Sequence, residues 1–125
     1  MAQPLKVTLV SPPSNVEERY PKGHPLRKSV QVVEPLGLAY LAAMVEDVAR
    51  VEVVDCIAEG LSSVECVEKV KGSDVVGISA VTSNVHIALD LAKRIKNEAS
   101  NVKIVFGGIH PSLYPEYIQP IGGER

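Results

Sequence analysis

Asp74-Val-Val-Gly-Ile-Ser79 and Lys103-Ile-Val-Phe106 are short apolar runs rich in β-branched residues, and the segment between them has the period of a helix. Ser83 offers a cap, and Val85, Ala88, Leu89, Ala92 and Ile95 form an apolar stripe. Lys93, Arg94 and Lys96 complement the negative end of the helix dipole. Strand, helix, strand in that order predicts parallel pairing. The runs are apolar throughout rather than alternating, so both sheet faces are expected to be covered.

The same unit repeats toward the N-terminus. Val51–Val54 is a β-branched run ending at Asp55, and Ser62-Ser63-Val64-Glu65 matches a capping box opening a helix whose Val64, Val67 and Val70 share one face. Before it, Leu38, Leu41, Ala42 and Val45 recur at helical spacing, with Pro35 suited to the first turn. Leu5–Val10 is a first strand, stopped by Ser11-Pro12-Pro13 because proline lacks the N–H a ladder needs. Residues 11–35, with Pro21, Gly23, Pro25 and Pro35 and no periodicity, are expected to form a long loop. The result is β-α-β-α-β-α-β in a single domain over 1–125. It is an α/β, flavodoxin-like (Rossmann-like) three-layer sandwich with a parallel sheet of order 2-1-3-4. No fifth strand is legible in 111–125, where Tyr114, Tyr117 and neighbouring prolines read as an irregular, packed final turn.

Composition narrows the function. Thirteen basic against 15 acidic residues leave a formal charge of −2, without the basic surface that nucleic-acid binding requires. With four Tyr, one Phe and no Trp, the core must be aliphatic. No apolar run reaches the roughly 20 residues of a membrane span, and Met-Ala-Gln-Pro-Leu-Lys leads into the first strand without a signal-peptide layout, so a cytoplasmic protein with no membrane partner is expected. Cys56 and Cys66 cannot supply a four-ligand metal site unaided and read as reduced thiols.

In a doubly wound sheet the ligand lies at the carboxyl ends of the strands. That gathers 11–35, 55–60, 79–84 and 107–111. No Gly-x-Gly-x-x-Gly follows the first strand and there is no Walker sequence, so nucleotide readings lack support. There is no nucleophile with an evident base, and no catalytic residue is assigned. Ser79, Thr82 and Ser83 bring hydroxyls to one strand tip, as ligand donors or as local caps. Gly107-Gly108 removes side chains from the next tip, for a close approach or for a tight turn.

Glu34-Pro-Leu-Gly-Leu-Ala-Tyr-Leu-Ala-Ala43, Val51-Glu-Val-Val-Asp55, Asp74-Val-Val-Gly-Ile-Ser79 and Val105-Phe-Gly-Gly-Ile-His-Pro111 together resemble the N-terminal cobalamin-binding domain of B12-dependent radical SAM enzymes. The resemblance implies a corrinoid over the strand ends, with its nucleotide tail in a slot lined by Ser79-Ala80-Val81 and Gly107-Gly108. Pro12, Leu36, Gly37, Asp55, Thr82 and His110 would border the same ligand. The family's Asp-x-His-x-x-Gly, aligned on Gly37, puts Val32 at the Asp and Glu34 at the His position. The resemblance therefore implies cobalamin, or its methyl form, held without a histidine on cobalt. Asp55-Cys-Ile-Ala-Glu-Gly60 has the ends of that motif but follows the second strand, which is the wrong context. His24 reads as solvated in the long loop and His86 as a surface residue at a helix start.

The chain contains no Cys-x-x-x-Cys-x-x-Cys, so it holds no iron–sulfur cluster and would serve a radical SAM domain in cis or in trans. The reading from another class is a flavodoxin-like regulatory or interaction domain that binds no corrinoid. Without a fifth strand, Ile104-Val105-Phe106 would lie on an open edge and invite a homodimer.

Overall fold

The computed structural model describes residues 3–29 and 35–117. Strands β1 (Leu5–Ser11), β2 (Ala49–Asp55), β3 (Val75–Ser79) and β4 (Lys103–Gly107) form one sheet of order β2-β1-β3-β4, parallel throughout. Helices α1 (Asn15–Arg19), α2 (Leu36–Val45), α3 (Cys56–Glu59), α4 (Ser63–Val70), α5 (Val85–Glu98) and α6 (Ile109–Leu113) complete a flavodoxin-like α/β fold.

One face of the sheet carries the core. Val10, Val54, Val76 and Ile78 point toward Val67 and Val70 of α4 and Ala88, Leu91, Ala92 and Ile95 of α5. Thr8 is the polar residue buried in this face, and its hydroxyl is satisfied 2.6 Å from Ser73 Oγ. The opposite face has α2 packed over β2 and β1. Val53 and Val105 lie on it and are exposed, Val105 at 57%, whereas Leu9 and Leu38 are buried, so among the described residues α2 covers this face over β1 and leaves it open over β4.

Several local expectations shift. Part of the expected 11–35 loop is regular: Ser14 caps α1 with Glu17 in a capping box, and Pro25–Ser29 is a 3-10 turn. The α5 stripe is rotated, with Ile87 and Leu91 buried and Val85 and Leu89 half-buried. Its cap position is Asn84 rather than Ser83, because the Asn84 side chain accepts the Val81 N–H at 2.9 Å and closes the preceding turn. In α4 the Ser62–Glu65 box forms as read, but Val64 is 60% exposed and Cys66 takes its place inside. The tail expected to be irregular over 111–125 holds, within its described part, the end of α6 and a 3-10 turn over Pro115–Tyr117.

Candidate functional site

Register aligns the strand tips. Ser11 pairs with Asp55, Val10 with Ile78, and Ser79 with Gly107, so Asp55, Ser11, Ser79 and Gly107 form a lateral row across four strands. Side chains alternate between faces along a strand. Because Val10, Val54, Ile78 and Phe106 point to the α4–α5 core, this row lies on the α2 face. The next row on that face is Val53, Leu9, Gly77 and Val105. Leu9 leans across Gly77, where a Cβ would meet Leu9 Cδ2 at 2.8 Å. Over β3 and β4 this face is therefore floored by Ser79, Gly107, Gly77 and the exposed Val105. A Cβ on Gly107 would meet nothing within 4 Å.

Gly108 does something different. Its φ of +98° disfavours any side chain, and a Cβ there would lie 2.5 Å from the Ala80 carbonyl oxygen. The close approach anticipated at the glycine pair is made by the protein's own β3 tip. Ala80 N–H donates to Gly107 O at 2.9 Å and His110 N–H to Ala80 O at 3.4 Å, which ties the two tips together. Ala80 is buried, whereas Val81 and Thr82 are exposed.

His110 is 8% exposed, with Nδ1 3.2 Å from Thr82 Oγ1 and its ring 5.3 Å from that of Tyr114. It fastens the β4 loop to the β3 loop. Asp55 caps α3, one carboxylate oxygen accepting the N–H groups of Ile57 and Ala58 at 3.2 Å each. Pro12 is buried, and Leu36 and Gly37 are exposed at the start of α2, at the same end of the sheet. Glu34, aligned with the family's ligand position, lies outside the described residues, as does Val32. His24 stacks on Tyr20 at 4.4 Å and accepts the Leu26 N–H at Nδ1; His86 is exposed at the start of α5.

The segment after β1 is clasped to the β2 side. Arg27 donates to the carbonyls of Tyr20, Glu17 and Gly60 at 2.8, 3.0 and 3.1 Å. Glu18 accepts from the Ser63 N–H and hydroxyl at 2.6 and 2.7 Å. Lys22 pairs with Glu65 at 2.9 Å and holds that carboxyl below its usual range. A shallow cleft of about 620 Å³ opens here, lined by Glu17, Arg19, Tyr20, Lys22, Arg27 and neighbours, and none of the expected site residues borders it. Sequence reasoning missed Ser11 and this clasp. Ser11 could have been found by counting alternate residues from Leu9; Arg27 and Glu18 leave no local pattern.

Among the described residues no His, Cys, Asp and Glu groups are placed to hold a metal ion, and no helix is long and apolar enough to cross a membrane. The family model of the B12 binding domain matches residues 25–122. The chain is 37% identical over 114 residues to an uncharacterized methyltransferase of Pyrococcus horikoshii, covering 90% of this chain and 23% of that protein. It is 35% identical over 106 residues to the cytidylyl-2-hydroxyethylphosphonate methyltransferase of Streptomyces wedmorensis, covering 66% of this chain and 19% of that one. The chain thus spans about a quarter or less of the length of these relatives.

Proposed function

This chain belongs to the B12 binding domain family, and from that premise we propose that it holds cobalamin across the carboxyl ends of the strands, with the nucleotide tail running over the α2 face. The observation that carries the reading is the lateral row at the strand tips, above all Gly107, whose missing side chain leaves open space beside the Ser79 hydroxyl. A flat, bulky tail needs a floor of small residues with a hydroxyl donor, and Ser79 and Gly107 supply one, while Leu9 fills the space over Gly77. Leu36 and Gly37 at the start of α2 flank it. The Ala80–Gly108 contact and the Thr82–His110 bond keep the two loops of the rim in place, so the chain contributes binding and orientation.

Methylcobalamin, when bound, supplies a transferable methyl group. The protein is read as leaving cobalt without a histidine: His110 is turned to Thr82, His24 to Tyr20 and Leu26, and Glu34 stands at the aligned ligand position. Both relatives are named methyltransferases and extend far beyond the matched region. We read this domain, a single unit over 1–125, as the corrinoid module of such an enzyme, working with a radical SAM domain in cis or in trans. A homodimer through β4 fits its edge position.

The deciding experiment mixes the purified chain with hydroxocobalamin and desalts it. A coloured protein of stoichiometric cobalt content with shifted visible bands is expected. Colourless, well-folded protein overturns the reading and leaves a flavodoxin-like regulatory domain.

A further inference from the structure

The segment after β1 has little apolar burial to hold it. Over 14–28, Glu17 is the buried side chain and it is polar, while Leu26 is 45% exposed. Its two helical pieces, α1 and the turn over Pro25–Ser29, are five residues each, too short to persist unsupported. Directed side-chain bonds hold it instead. Nε, Nη2 and Nη1 of Arg27 donate to the carbonyls of Tyr20 and Glu17 within the segment and of Gly60 at the end of α3. A planar fork of donors suits this convergence, and a lysine, with one nitrogen, does not reproduce it. Glu18 on Ser63 adds an attachment to the first turn of α4, and the solvent-exposed Lys22–Glu65 pair adds little.

The place of this segment matters at the strand tips. It leaves the sheet at Ser11, and β1 lies between β2 and β3. Strand order reverses at β1, and the crevice of a doubly wound sheet opens at such a point. On the β2 side the segment rests on residues 60–65, and on the β3 side lies the floor made by Ser79 and Gly107. We propose that Arg27 is a positioning residue for the corrinoid site: by tying the segment to Gly60 it keeps the segment on the β2 side and leaves the β1–β3 crevice clear for the ligand. This inference rests on the corrinoid reading and adds the residue that governs access to that site. Arg27 acts through the segment rather than on the ligand. Without it the segment reaches over β3 and competes with the nucleotide tail for the floor.

The test compares wild type, Arg27→Ala and Arg27→Lys, with Val70→Ala as a core variant of reduced stability. Titration with hydroxocobalamin gives affinity, and brief trypsin treatment reads release of the segment at the bonds after Arg19 and Lys22. Arg27→Ala should bind about tenfold more weakly and be nicked about tenfold faster, the scale of one lost charge-assisted hydrogen bond. Arg27→Lys should fall between it and wild type, and carries the comparison if Arg27→Ala does not fold. Methylguanidinium added to Arg27→Ala should restore both affinity and protection. Val70→Ala should bind like wild type, because lost stability alone leaves the segment tied. Wild-type affinity or wild-type trypsin resistance in the Arg27 variants overturns the proposal and leaves the corrinoid reading standing. So does an equal loss of affinity in Val70→Ala. Wild-type protein that binds no hydroxocobalamin overturns the corrinoid reading, and this inference with it, whatever the rate of nicking.

Discussion

Gly108 sits so close to Ala80 that a Cβ on it would lie 2.5 Å from the Ala80 carbonyl oxygen, while one on the adjacent Gly107 would touch nothing within 4 Å. Two neighbouring glycines thus serve two purposes, one internal to the fold and one facing outward.

Substitution separates them. Gly108→Ala forces a residue with a side chain into φ +98° against the Ala80 backbone and should cost about 1–3 kcal/mol in denaturant unfolding. Gly107→Leu should leave stability within about 0.5 kcal/mol, the ordinary range for a surface change, yet abolish retention of hydroxocobalamin on desalting. Equal binding by Gly107→Leu and wild type would place the tail elsewhere.

The lower face of cobalt is the second point. Cob(II)alamin on this protein should show no histidine nitrogen coupling in its electron paramagnetic resonance spectrum. A coupling lost in His24→Ala or His110→Ala would overturn the alignment of Glu34 with the ligand position.

Asp55 is expected to act through its cap. Asp55→Asn keeps a side-chain oxygen for Ile57 and Ala58 and should bind corrinoid like wild type, whereas Asp55→Ala should lose about 0.5–2 kcal/mol of stability by thermal melting. Weakened binding in a fully stable Asp55→Asn would give the carboxylate a direct role in holding the ligand.

Among the described residues β4 pairs with β3 on one side and stands at the edge of the sheet, with Val105 outward. Open edges recruit further strands. Sedimentation at rising concentration should show self-association that Val105→Lys suppresses. A monomer at every concentration, with slow exchange of the Val105 amide, would show the edge to be covered.

In α4, Val70→Ala removes apolar volume from a fully buried site and should cost about 1–3 kcal/mol, and Val64→Ala, on the exposed face, less than about 0.5 kcal/mol. Chemical denaturation of the two variants measures the contrast; equal losses would mean that α4 is rotated from the described orientation.

The architecture was legible in the residues because its signals are local. Apolar runs of strand length, a capping box at Ser62 and helical spacing between Ser79 and Lys103 each constrain a few neighbouring residues, and parallel order follows from their alternation. The family resemblance rested on motifs at strand tips, where short sequences and function coincide. Tertiary structure alone determined the rest. Whether Val64 or Cys66 faces inward depends on which neighbour α4 meets, and nothing in α4 states it. The same holds for the glycine pair: two identical residues differ because Ala80, far away in sequence, fills the space beside one and leaves the space beside the other open. Arg27 reaching Gly60 and Glu18 reaching Ser63 likewise join distant segments. Such contacts arise from the chain's return path in space, so no local pattern of residue types encodes them.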